Sequence, residues 1–253
     1  MACDEAIFNL YPYKRIPTLR VYGWQSASIT LGYFQKAHEA LNLPRVYNEH
    51  ISFTRRITGG AAILHLDEIT YSLSLSPQDL LLPQGVKESY KVLTSFIVNF
   101  YRSLGLDAGY ACDYSPENLE QYQHFCFDTL ECYDILIEGK KIGGNAQKRR
   151  KKLIFQQGSI PLVVNFDLVK HLINNTSPDL ARKTQGLSYF LKSSPERKTL
   201  CRKLHRAFEE TFGVTLCPGT LTPEEEELSE RLITEKYANP SWNLNYEQAA
   251  LAQ

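Results

Sequence analysis

Between Ile69 and Leu75 the order Ile-Thr-Tyr-Ser-Leu-Ser-Leu puts an apolar side chain at every second position, the period of a half-buried strand. Leu19–Gly23 and Ser28–Phe34 are rich in β-branched and aromatic residues and read as strands. Phe53–Arg56 is a short strand running into a Gly59-Gly60 turn. The period changes over residues 86–104. There Val86, Tyr90, Leu93, Phe96, Ile97 and Phe100 share one side of a helical repeat that stops at Gly105. Helical signals return at residues 1–9, at Asp167–Ile173 and at Glu196–Phe212. After Thr222, a capping hydroxyl is followed by Pro223 in the first turn and by Glu224–Glu227 beside the positive end of the helix dipole. Residues 113–124 have no clear period and read as a loop. Tyr133–Glu138 and Lys140–Gly143 predict a hairpin turning at Glu138-Gly139, and Leu153–Pro161 predicts a further strand. This interleaving predicts an α+β fold, a mixed, mostly antiparallel β-sheet flanked by helices. No repeat or low-complexity linker interrupts the chain. One catalytic domain over residues 1–220 with a short helical appendage over 221–253 is the expected organisation.

Composition narrows the function classes. The 253 residues are 43% hydrophobic, enough for one large domain or two small ones. The 28 basic and 28 acidic side chains cancel, which argues against a dedicated nucleic-acid binder. The six cysteines, Cys3, Cys112, Cys126, Cys132, Cys201 and Cys217, have no CxxC spacing, which argues against a zinc site. They suit free thiols in a cytoplasmic protein. No apolar run approaches the ~20 residues that span a bilayer, so no membrane association is expected. The basic run Gln147–Lys152 reads as a solvated turn, or alternatively as a docking surface for an acidic partner protein.

Two blocks set tiny residues beside cations. The first is Arg55 and Arg56 followed by Thr58, Gly59, Gly60, Ala61, Ala62, Ile63, Leu64 and His65; the second runs from Lys141 through Gly144, Asn145 and Ala146. Gly and Ala allow backbone N–H groups to approach a ligand, and the cations supply charge for a carbonyl or anionic head. Such blocks suit a buried tunnel for an acyl chain. Neither is a phosphate-binding Walker loop or a dinucleotide fingerprint. Adjacent strand arginines face opposite ways, so one is expected in a cleft and the other in a structural ion pair. Lys141 is either a solvated hairpin lysine or a cation with a chemical task. Two tasks are open: lowering the pKa of a thiol, or neutralising an oxygen of an acyl-adenylate. Cys126, fifteen residues earlier in His124-Phe-Cys-Phe-Asp128, is a candidate nucleophile or a buried small hydrophobe. His124 is a candidate base, and Cys132 is the nearest rival thiol.

Together these blocks resemble the lipoate–protein ligase A / biotin–protein ligase superfamily. Asp4-Glu5-Ala6, Gly32–Gln35, Arg55–Gly60, Lys141–Gln147 and Gly158–Ile160 are each similar to a family motif, in the family's order. Within it, the chain most resembles the cysteine-dependent octanoyltransferases. That resemblance rests on Cys126-Phe127-Asp128, Tyr133, Glu138-Gly139 and Lys141, on Glu68-x-Thr70-Tyr71-Ser72, and on Glu235–Ala238 with Trp242-Asn243. It implies the biotin/lipoate ligase catalytic-domain fold and two catalytic residues. Cys126 would take octanoyl from acyl carrier protein as a thioester, and Lys141 would hold the thiol ionised. The acceptor would be the lysine of a lipoyl domain, in a 2-oxoacid dehydrogenase E2 or the glycine-cleavage H protein, and no cofactor would be required. Arg55, Arg56, Gly59–His65 and Gly144–Ala146 would bind substrate.

The same resemblance carries a second expectation, an ATP-dependent lipoate–protein ligase. Arg56, the Ala61–Leu64 backbone and Lys141 would then hold lipoyl-adenylate, with lipoate, ATP and Mg2+ required. Ala61 stands where those ligases carry a third glycine, and Leu66 where the family carries Asp. These departures leave room for a third expectation, a non-enzymatic member that recognises lipoyl domains. The family's preceding strand is expected upstream of Met1.

Overall fold

The computed structural model describes residues 1–114, 130–193 and 195–244. Among the described residues, ten strands form three sheets. β1 (Thr18–Tyr22), β5 (Glu68–Leu75), β10 (Leu153–Pro161) and β9 (Gly144–Arg150) make an antiparallel sheet in the order β1-β5-β10-β9. β2 (Ser28–Leu31) lies between β3 (Ser52–Arg55), to which it is parallel, and β4 (Ile63–His65), to which it is antiparallel. β6 (Ala108–Tyr110), β7 (Ile135–Ile137) and β8 (Lys140–Lys141) form a small antiparallel sheet. The fold is therefore α+β with mixed, mostly antiparallel pairing, as the sequence pattern predicts.

The apolar face of β5 carries Ile69, Tyr71, Leu73 and Leu75, packed with Leu93, Phe96, Ile97 and Phe100 of the helix Val86–Ser103 and with Leu204 and Phe208 of the helix Arg197–Phe212. The opposite face departs from the half-buried expectation: Glu68, Thr70, Ser72 and Ser74 are buried as well. The helix Ala2–Lys14 covers that side. It brings Asp4, which accepts hydrogen bonds from Ser72 Oγ (2.7 Å), Tyr22 Oη (2.7 Å) and Arg20 Nη1 (2.8 Å). Polar alternation on β5 is thus matched by polar partners rather than by water.

A second apolar cluster joins Ile29 and Leu31 to Ile63, Leu64 and Leu172, around the smaller mixed sheet. A third holds Phe8, Ile57, Phe155 and Trp242. The basic run expected as a turn is mostly strand. Leu153↔Arg150 pairing carries β9 through Arg150 before the chain reverses at Lys151, whose φ is 55°. The helix Pro223–Leu232 opens with the expected Thr222 cap, Thr222 Oγ1 accepting from Glu225 N and Glu225 reaching back to Thr222 N. Among the described residues, no helix is long and apolar enough to cross a membrane.

Candidate active site

The two arginines of the first block part as their adjacency requires. Arg55 is fully buried, and its guanidinium donates to the carbonyls of Trp242 (2.8 Å), Gly32 (3.0 Å), Tyr33 (2.9 Å), Gln35 (2.5 Å) and Asn243 (3.1 Å). The structural partner expected for one arginine is therefore a ring of backbone dipoles, supplied by two segments distant in sequence. Arg56 turns towards a pocket and organises the glycine loop. It donates from Nη2 to Gly59 O (2.8 Å) and Ala61 O (2.8 Å), and from Nη1 to Thr30 O (3.1 Å). Gly60 adopts φ +88°, and its carbonyl sits so close to Gly32 that a Cβ there would lie 1.6 Å away.

The second block is set by a tight hairpin. Glu138 and Gly139 both have positive φ, 50° and 74°, the conformation of a two-residue turn that matches strand twist. That turn fixes Leu136 opposite Lys141. Asp134, two residues before Leu136, then shares the face of Lys141. Lys141 Nζ donates to Asp134 Oδ2 at 2.7 Å, and both residues are buried. Beyond Lys141 the chain passes tightly beneath β10. Gly143 has φ +79°, and a Cβ on it would come within 2.2 Å of Ser159 O.

A third group adjoins these two. His65 is stacked on Trp24, with ring centroids 4.1 Å apart. Its Nδ1 is 2.8 Å from Glu68 Oε1, and its Nε2 is 2.8 Å from Thr30 Oγ1. Ser159 Oγ donates to Glu68 Oε2 at 2.7 Å, and Thr70 Oγ1 donates to Glu68 Oε1. Burial pushes the Glu68 carboxyl up. The His65 charge and the hydrogen bonds from His65, Thr70 and Ser159 outweigh it and hold that carboxyl below the usual glutamate range.

All three groups meet in one pocket. Of the residues singled out from sequence, Arg56, Gly60, Ala61, Ile63, His65, Lys141, Gly144, Asn145 and Ala146 line it. Arg55, Gly59, Ala62 and Leu64 do not: Arg55 faces the C-terminal segment, and Ala62 and Leu64 belong to the second apolar cluster. Cys126, with His124 and Asp128, lies outside the described residues. The pocket also has walls that sequence reasoning missed, Glu131, Asp134 and Gln157, and walls it had noted only as parts of family motifs, Thr70 and Ser159. Gln157 is buried, and among the described residues its Oε1 has no hydrogen-bond partner, so the pocket offers a ligand an unsatisfied acceptor. Hairpin register was the signal for Asp134. The five described cysteines are free.

The pocket thus sets Gly and Ala backbone beside a buried Lys–Asp pair at one wall and an arginine-held loop at another. Residues 1–209 match the lipoyl protein ligase A/B catalytic domain. The chain belongs to that family.

Two relatives in it are octanoyltransferases LipM. The one from Brevibacillus brevis is 36% identical over 96% of this chain and 93% of its own length, and the one from Bacillus subtilis is 33% identical over 96% and 92%. Among solved structures, lipoate-protein ligase A bound with ATP superposes with a TM-score of 0.81 at 26% identity, covering 97% of this chain and 92% of that one. A putative lipoate protein ligase from T. acidophilum with bound lipoic acid gives 0.80 at 27%, covering 96% and 91%. This member of the lipoyl protein ligase A/B family is an acyltransferase of protein lipoylation.

Proposed function

We propose that this protein moves an octanoyl group from acyl carrier protein to the lysine of a lipoyl domain, in a 2-oxoacid dehydrogenase E2 or a glycine-cleavage H protein, through a thioester on Cys126. The observation that carries this reading is the buried Lys141–Asp134 pair at the wall of a small-residue pocket. Glu131 and Asp134, five and eight residues after Cys126 in the sequence, both line that pocket. In the first half-reaction the Cys126 thiolate attacks the thioester carbonyl and the carrier thiolate leaves, taking up a proton. In the second, the acceptor amine attacks the Cys126 thioester, the C–S bond breaks, and the amine proton returns to the departing sulfur. Splitting the transfer in this way replaces one difficult exchange by two easier ones. The Lys141 ammonium stabilises the thiolate at the start and the carbonyl oxygen as charge develops on it. The unpartnered Gln157 Oε1 is an acceptor open to an N–H of the incoming substrate. No cofactor is required, and the enzyme works in the cytoplasm.

The test is intact-protein mass spectrometry after incubation with octanoyl-acyl carrier protein. The expected result is one octanoyl adduct, released by hydroxylamine and missing in Cys126→Ala. An unmodified protein that instead transfers free lipoate to a lipoyl domain only with ATP and Mg2+ would make it a ligase acting through lipoyl-adenylate. Binding of a lipoyl domain without any acyl transfer would leave a recognition protein.

A further inference from the structure

Beyond the pocket wall, one face of β9 carries cations that the acyl chemistry does not use. Ala146 and Gln157 pair across β9 and β10 and both line the pocket. The next pairs on the same face are Lys148↔Phe155 and Arg150↔Leu153. Lys148 therefore lies about 7 Å beyond the pocket wall, and Gly144 to Arg150 spans about 20 Å at the rise of a strand.

Aromatic rings floor this face. Lys148 Nζ is 5.4 Å from the centre of the Tyr33 ring, the Arg150 guanidinium is 5.4 Å from that of Phe8, and Lys236 Nζ is 3.9 Å from that of Trp242. Phe34, packed edge-on against Tyr33 and standing over Gly59, is 66% exposed at the rim. Charge here is unbalanced. Glu5 faces the cluster, and its two oxygens accept from Lys236 Nζ (2.8 and 3.0 Å) and, at Oε2, from Tyr237 Oη (2.6 Å). Among the described residues, neither Lys148 nor Arg150 forms an ion pair. Burial lowers the pKa of Lys148, and so do the charges of Lys236 and Arg150, with Glu5 opposing them. A half-buried ammonium beside two like charges and short of carboxylates costs free energy unless an anion arrives.

We propose that Lys148 and Arg150, with Lys236 behind them, bind the phosphate of the donor's phosphopantetheine arm while the acyl end lies in the pocket. An extended arm threaded along β9 reaches from the Lys141 wall to this cluster. Its phosphate replaces the missing carboxylate with charge-assisted hydrogen bonds. The assignment rests on the octanoyl-carrier reading of the same site.

Two small donors separate the contributions: octanoyl-phosphopantetheine and octanoyl-pantetheine, which lacks the phosphate. For the first, kcat/KM of enzyme acylation is expected to fall about tenfold or more in Lys148→Gln and in Arg150→Gln, the usual loss of a hydrogen bond to a charged group. For the second it should not change, and Lys148→Arg should restore most of the loss. Equal losses with both donors would overturn the proposal. So would a loss seen only with the whole carrier protein, which would place an acidic protein surface on these cations. Calorimetric binding of phosphopantetheine without an acyl group is independent of the transfer reaction. Binding weakened in Lys148→Gln, in an enzyme that takes up no octanoyl, would keep the phosphate site and remove the octanoyl reading.

Discussion

Lys141 Nζ and Asp134 Oδ2 are 2.7 Å apart, on side chains that are 4% and 10% exposed. Burying two charges together is close to neutral, whereas removing one takes from the other a charge it is paired with. Asp134→Ala is therefore expected to cost about 3–5 kcal/mol of stability, and the double variant with Lys141→Met less than the Asp134 change alone. Urea unfolding of the three variants measures the coupling. An Asp134→Ala protein as stable as its parent would show that Lys141 is held by other groups. The kinetic consequence is distinct: Lys141→Met should slow acyl-enzyme formation far more than it weakens donor binding, because its charge acts on sulfur and carbonyl oxygen.

Arg55 ties the C-terminal segment to the body of the fold. Its guanidinium ties Trp242 and Asn243 to the Gly32–Gln35 turn, while Trp242 Nε1 returns a bond to Arg55 O at 2.9 Å. Arg55→Met is expected to leave those carbonyls unsatisfied, at a cost of about 3 kcal/mol or more. Hydrogen exchange should rise over residues 233–244 in particular. Arg55→Lys should not rescue it, since one ammonium has no planar fork to span two segments. Unchanged protection of Trp242 and Asn243 would contradict this role.

What could be read from sequence was whatever depends on neighbours in the chain. The alternation of Ile69–Leu75, the apolar stripe of 86–104, the Glu138-Gly139 turn and the Thr222 cap all survive because each is fixed within a few residues. Burial of the polar face of β5 was illegible, since its cover comes from Asp4, 68 positions before its partner Ser72. The acceptors of Arg55 were illegible for the same reason: Trp242 O lies 187 positions away. Strand formation through Lys148, Arg149 and Arg150 goes against their composition, and pairing with Leu153–Phe155 overrides it. The candidate site was legible in its loops and less so in its walls. Gly60, Ala61 and Ala146 declare themselves by type, whereas Gln157 and Ser159 become site residues only through the register of β10.

Glu68 links the pocket to pH. Its carboxyl is held below the usual range in the folded protein, with His65, Thr70 and Ser159 as partners. A depressed carboxylate pKa contributes stability that is complete above the unfolded-state value of about 4.3 and disappears as pH falls through the folded-state value. Glu68→Gln cannot gain this term. The stability gap between parent and variant should thus shrink steadily as pH falls below about 4.3. Thermal melts of both proteins across that interval measure it, and a gap independent of pH would remove the charge contribution.

Thiol reactivity distinguishes the proposed nucleophile from the other cysteines. Burial pushes the Cys112 thiol up to about 11, helped by the Cys132 thiol beside it, and burial also raises Cys201. At pH 7 a thiol with that value is ionised in about one molecule in ten thousand, and the thiolate is the species that alkylates. A nucleophile activated by Lys141 has the opposite requirement. Limiting iodoacetamide at pH 7 is therefore expected to modify Cys126 well before Cys112 or Cys201, with the reaction blocked by prior exposure to octanoyl-acyl carrier protein. Peptide mapping gives the order directly. Labelling of Cys126 no faster than Cys112 would mean that no cation favours its thiolate, and the thioester route through Cys126 would fail on chemical grounds, whatever the pocket accommodates.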